Sequence, residues 1–260
     1  MKKSFIFLLI IVLITPVPVI NLFSTLDKDK VTKNPVDNGV ALLEAYDYYD
    51  VKTIEKKVNE NVNKIAKEKE IKKVLEDIDS GKTTYRNIFK NTHIAGDSLM
   101  NGLESYNILN PNNLTTRVSA SLYHLSENSN KIIRANPRVL ILHYGLNMLG
   151  TNEKHLEFFI SFYTEILEKF KDEIPDTRII VSGIFPVDTS IATASSYKYI
   201  DKYNDALKKM CEELGVEYLD SSEVLLAHSE CYGYDGIHLS RKFYSDYWLR
   251  FVVENKGIVG

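Results

Sequence analysis

The sequence predicts an α/β domain built on a parallel sheet with helices on both faces. Two observations carry this prediction. From about residue 91 onward, short and almost continuously apolar runs alternate with longer stretches of helical periodicity. Strands that read apolar throughout are buried on both faces, and strand-helix alternation makes them parallel. The residues with chemical potential then gather just past the ends of those runs, where open α/β sheets place their sites.

The strand candidates are residues 93–95, 114–119, 139–144, 178–184 and 216–219. Helical patterns fill the gaps, most clearly over 153–171 and 197–214, with Gly215 as the stop. No internal repeat is visible. Upstream, residues 53–81 form a separate segment. Ile54, Val58, Val62 and Ile65, then Ile71, Val74, Leu75 and Ile78, follow helical spacing among lysines and glutamates, and Gly81 ends the pattern. Such an amphipathic helix either packs on the same domain or serves as a stalk that meets a membrane-protein partner. A change of register near Glu68 argues against a long coiled coil.

Residues 1–23 bear on location. Met1-Lys2-Lys3 precedes residues 4–23, which carry no charge, and about 20 apolar helical residues cross a hydrocarbon core. A cleaved signal peptide begins in the same way, but no small-x-small cleavage site follows. We read an uncleaved single-pass anchor with an extracytoplasmic domain, secreted if the segment is removed. Residues 24–52, with Asp-Lys alternation and Pro35, read as a linker.

Composition narrows the function further. With 44% hydrophobic residues and a formal net charge of -3, the chain has core enough for a full domain and no block of positive charge for phosphates. Nucleic acid is a poor partner. Cys211 and Cys231 show no metal-site spacing, so no metal or other cofactor is expected; they form a disulfide outside the cell or remain separate thiols.

The candidate chemistry lies in three places. Ser98 follows Gly96-Asp97 at the end of the first apolar run, where a helix begins. Its hydroxyl needs a base to become a nucleophile, and His238 is the candidate. Asp235, three residues earlier, can fix the imidazole tautomer if Asp235-Gly236-Ile237-His238 turns tightly. The developing oxyanion needs donors: the Ser98 N–H at the helix start, the Asn147 side-chain amide, and a backbone N–H from the turn around Ser119. Tyr144 and Gly145, beside Asn147, are candidate substrate-binding residues. His143 reads as a buried core histidine.

These residues, in this order, closely resemble the SGNH hydrolases, also called the GDSL esterase/lipase family: Ser98 in its Gly-Asp-Ser motif, Asn147 in Gly-x-Asn, and His238 three residues after Asp235. Ser119 stands where that family has glycine, and can replace it as a backbone donor if it avoids positive φ. Met148 stands where an acid is usual. The resemblance implies a three-layer α/β/α domain with a five-stranded parallel sheet, flavodoxin-like, over residues 91–256. It implies a serine esterase working through an acyl-enzyme without metal, on short acyl esters such as O-acetyl groups of cell-envelope carbohydrate. An O-acyltransferase using the same acyl-enzyme and a non-catalytic envelope-binding factor are the alternatives.

Overall fold

The computed structural model describes residues 51–260, and side chains from Thr53 onward. The expected anchor at 1–23 and most of the linker at 24–52 lie outside the described residues. The chain divides into two units, 1–64 and 65–260. The described part of the first is helical and belongs to α1 (Val51–Asp79). Its apolar residues Ile54, Val58 and Val62 are exposed. In the second unit Ile65 is also exposed, whereas Leu75 is buried, with Ile71, Val74 and Ile78 half-buried around it.

The second unit is built on five parallel strands, β1 (Thr92–Gly96), β2 (Leu114–Thr116), β3 (Val139–His143), β4 (Arg178–Ser182) and β5 (Glu217–Leu219), in the order β2-β1-β3-β4-β5. Alternate strand residues serve opposite faces. Leu140 and Leu142 join one core with α4 (Leu122–Ala135), α5 (Glu153–Glu173) and α6 (Ile200–Leu214). Ile141 joins the other, with α2 (Tyr85–Ile88), α3 (Ser98–Ser105), α7 (Ser222–Ala227) and α8 (Leu249–Lys256). Each large apolar side chain fully buried this way stabilises the fold by about 1.5–3 kcal/mol.

The strand candidates all correspond to strands, but three run shorter at the end nearest the site. β2 stops at Thr116 because the chain turns there: the Ala120 N–H donates to the Arg117 carbonyl and Ser119 takes φ 59. The pattern at 197–214 begins with a 3-10 turn (Tyr197–Tyr199) before α6, which ends on Gly215 at φ 65. A π-helical turn (Phe243–Trp248) leading into α8 was not among the expected helices. It is held by aromatic burial, with Phe243, Tyr244 and Trp248 sealed in the second core. Cys211 and Cys231 are buried free thiols, so the disulfide alternative gives way to separate thiols. Among the described residues no helix is long and apolar enough to cross a membrane, and no group of three or more His, Cys, Asp or Glu is placed to hold a metal.

Candidate active site

Gly96 ends β1, and its register partners are Thr116 in β2 and His143 at the end of β3. Strand order reverses between β1 and β3, and open α/β sheets place their sites beyond the carboxyl ends of the strands at such a point. Ser98, the 117–120 turn and the 144–148 segment all leave the sheet at this edge. Asp97 is the N-cap of α3, and its Oδ1 accepts the Leu99 N–H at 2.9 Å. Ser98 is therefore the first residue of a helix, where free N–H groups and the helix dipole favour negative charge.

The oxyanion candidates converge on the same edge. The Ser98 and Ser119 N–H groups have no acceptor among the described residues. Ser119 does not avoid positive φ, contrary to the condition set by its sequence. Its backbone is in the left-handed region that glycine adopts without strain. Asn147 Nδ2 donates one hydrogen to the Ala120 carbonyl at 2.9 Å, leaving a second N–H for another acceptor. That bond ties the two loops together. Met148, in place of an acid, lies with its sulfur 3.3 Å from the Leu122 N–H at the start of α4.

Gly145 is required by its backbone. It takes φ 148, and a Cβ there would lie 2.4 Å from Ile184 Cδ1. Tyr144 is only 1% exposed, and its hydroxyl meets His124 Nδ1 at 3.2 Å. The ring is part of the buried core, packed with the residues of the first core cluster.

Asp235 and His238 form a compact turn. His238 Nδ1 and Asp235 Oδ2 are 2.6 Å apart, while Asp235 Oδ1 accepts the N–H groups of Ile237 at 3.0 Å and His238 at 2.9 Å. Burial raises the Asp235 pKa, but those three hydrogen bonds outweigh it and hold the carboxyl down at about 2. The turn depends on Gly236, whose φ is 69 and whose Cβ would lie 2.9 Å from the Asp188 carbonyl; the Asp188 N–H donates to the Gly236 carbonyl at 2.8 Å. Two tyrosines couple the following chain to α3: the Tyr106 hydroxyl donates to the Leu239 carbonyl at 3.2 Å, and the Tyr244 hydroxyl to the Leu99 carbonyl. No hydrogen bond joins Ser98 to His238.

The remaining histidines near the sheet are structural in their surroundings. His143 is buried against Phe185, with Nδ1 3.1 Å from Ser182 Oγ, and burial lowers its pKa to about 3. His93 bonds Thr115 through Nε2 at 2.8 Å, and burial lowers it to about 4. The Tyr106 and Tyr244 anchors and the loop at Asp188 escaped sequence reading. Nothing in an isolated tyrosine or aspartate signals a tertiary clamp.

Residues 94–245 match the GDSL-like Lipase/Acylhydrolase family. No curated protein matches the sequence. Among solved structures, the chain resembles a GDSL-like lipase from Parabacteroides merdae at 16% identity, covering 64% of this chain and 95% of that one, with a TM-score of 0.51. It resembles a GDSL-like lipase from Bacteroides thetaiotaomicron at 10% identity, with 64% and 86% coverage and a TM-score of 0.48. An acetylxylan esterase from Geobacillus stearothermophilus is similar at 12% identity, with 63% and 92% coverage and a TM-score of 0.47. The family match runs over more than half of the chain, from β1 to beyond the Asp235-His238 turn: the protein belongs to the GDSL-like lipase/acylhydrolase, or SGNH hydrolase, family and is a carboxylic ester hydrolase.

Proposed function

We propose that the protein is a serine esterase that removes short acyl groups, O-acetyl in the first instance, from cell-envelope carbohydrate through an acyl-enzyme. The observation that carries this reading is the Asp235–His238 pair. With Nδ1 bonded to Asp235, the imidazole keeps Nε2 as the acceptor, the state a general base requires.

In this reading His238 Nε2 takes the proton from Ser98 Oγ as the oxygen bonds to the ester carbonyl carbon. The carbonyl π pair moves onto its oxygen, which accepts hydrogen bonds from the Ser98 and Ser119 N–H groups and the free Asn147 amide hydrogen. Each donor contributes about 3–4 kcal/mol to the transition state when probed by removal. Collapse re-forms the carbonyl and expels the alkoxide, which takes the proton from His238. Water then attacks the acyl-enzyme, its proton passing to His238 and back to Ser98. Asp235 remains a carboxylate throughout, supporting the imidazolium. Gly145 offers bare backbone beside the acyl group, while the Tyr144 ring backs that wall from inside. An envelope substrate follows from the charge-free residues 4–23, read as an anchor with the catalytic domain outside the membrane.

Hydrolysis of p-nitrophenyl acetate and of an O-acetylated glycan by the full chain, beside Ser98→Ala, tests the reading. Turnover that depends on Ser98 and releases acetate supports it. Equal rates from the two folded proteins refute it, and acetyl transfer to glycan hydroxyls in place of acetate release would make the enzyme a transferase.

A further inference from the structure

Ser98 and His238 lie on separate elements, α3 and the turn after β5, and their separation depends on what joins those elements. Leu99, Gly102 and Tyr106 stand at i, i+3 and i+7, along one face of α3 and its C-cap, and this face meets the chain that follows His238. The joints are reciprocal. Tyr106, at the end of the helix that Ser98 begins, donates its hydroxyl to the carbonyl of Leu239, the residue after His238, at 3.2 Å. Tyr244, from the chain beyond His238, donates its hydroxyl to the carbonyl of Leu99, the residue after Ser98. Among the described residues these are the two hydrogen bonds that cross between residues 97–106 and 231–248. The two rings lie 6.1 Å apart, and Gly102 makes the space for Tyr244, because a Cβ there would fall 2.6 Å from Tyr244 Cε2. Glycine weakens a helix interior, so α3 gives up stability to admit this ring. Tyr244 lies in the π-helical turn (Phe243–Trp248), a rare geometry that is frequent at functional sites. Packing does not account for the two hydroxyls, since phenylalanine would fill both ring positions without them.

We propose that Tyr106 and Tyr244 are positioning residues that together set the distance and angle between Ser98 Oγ and His238 Nε2. Each ties one of the two segments to the backbone beside the other's reacting side chain, so neither segment shifts without straining a bond. Transfer of the Ser98 proton to His238 is sensitive to such shifts: a misplacement of about 1 Å can cost about 10²-fold in rate. The role rests on the reading of Ser98 as the nucleophile and His238 as its base.

The test uses the full chain carrying Tyr106→Phe or Tyr244→Phe, each alone and in the His238→Gln background, with p-nitrophenyl acetate as substrate well below the melting temperature. Each single variant should lower kcat by about tenfold to a hundredfold with KM within about twofold. In His238→Gln, whose residual rate does not use the imidazole, the same substitutions should change kcat by less than about twofold. That non-additivity separates positioning of the base from a general loosening of the fold, which would slow both backgrounds alike. A kcat within twofold of the wild type in both folded single variants, whatever their melting temperatures, overturns the role alone when Ser98→Ala is inactive, and leaves the two bonds as contributors to stability. Equal losses with and without His238 also overturn it. Undiminished turnover in Ser98→Ala overturns the nucleophile reading and this role with it. Should Tyr244→Phe fail to fold, Tyr106→Phe decides by the same comparison, because its ring is 38% exposed and loses only the bond to Leu239.

Discussion

Replacing Ser119 separates the contribution of its backbone from that of its side chain. Among the described residues, three non-glycine residues have positive φ: Asn107, Ser119 and Asn136. Asparagine tolerates the left-handed region, and Asn136 is the C-cap of α4, so Ser119 bears the least accommodated strain of the three. A left-handed L residue costs about 1–2 kcal/mol. Glycine removes that strain but returns about 0.4–1 kcal/mol through the added freedom of the unfolded chain. Ser119→Gly should therefore stabilise the protein by roughly 0.5–1 kcal/mol, raising Tm by about 1–4 °C. Ser119→Ala keeps the strain and should change stability by less than about 0.5 kcal/mol. Both preserve the N–H, so turnover of p-nitrophenyl acetate should stay within about twofold, against the 10²–10³-fold loss that follows removal of an oxyanion donor. Thermal unfolding followed by circular dichroism, with initial rates on the same samples, reads both quantities. Destabilisation by Ser119→Gly, or a tenfold loss of rate in Ser119→Ala, would refute the reasoning; the second would mean that the hydroxyl, and not the N–H, serves the reaction.

Asp235→Asn should lower kcat by about 10⁴-fold while leaving the fold intact, since it forfeits the tautomer rather than the turn; a change below tenfold would remove Asp235 from the mechanism. Asn147→Ala should cost about 10²–10³-fold in kcat, measured with the melting temperature to separate loss of the donor from loss of its tie to Ala120. Gly145→Ala should destabilise by several kcal/mol because φ 148 and the 2.4 Å approach to Ile184 leave no room for Cβ, and chemical denaturation reads this directly. Stability should also depend on pH in opposed ways. His143 and His93, lowered to about 3 and about 4, contribute stability present above the unfolded value near 6.5 and lost as pH falls. Asp235, lowered to about 2, contributes stability present above 3.8 and lost toward pH 2. Asp97, raised to about 7, contributes below 3.8 and loses that contribution as pH rises through about 7. Relative to Asp97→Asn, the wild type should lose up to about 4 kcal/mol of stability between pH 4 and pH 8, as read by urea midpoints.

The sheet was legible because a strand buried on both faces is apolar through its middle, as at 139–142 and 179–181. Its ends were less so. Residues 117–119 carry a strand-like composition, but Gly96 pairs with Thr116 and the pairing ends there, so the chain turns regardless of propensity. The Asp235–His238 pairing could be read conditionally, since three-residue spacing brings the side chains together only in a tight turn, and Gly236 supplies that turn. The burial of Tyr144 and the tyrosine links from α3 to the 239–244 segment depend on which elements become neighbours, and periodicity carries no such information. Asp97 did leave a trace: an acidic residue inside the apolar run Ile94-Ala95-Gly96-Asp97-Ser98-Leu99 must be buried if its neighbours are.

Covalent capture identifies the nucleophile without reference to any natural substrate. The full chain is treated with a fluorophosphonate, and the adduct is located by intact mass and peptide mapping. A single adduct on Ser98, absent from Ser98→Ala and formed much more slowly in His238→Gln, is the expected result. An adduct on another residue, or equal labelling of Ser98→Ala, would contradict the assignment of Ser98 as the nucleophile.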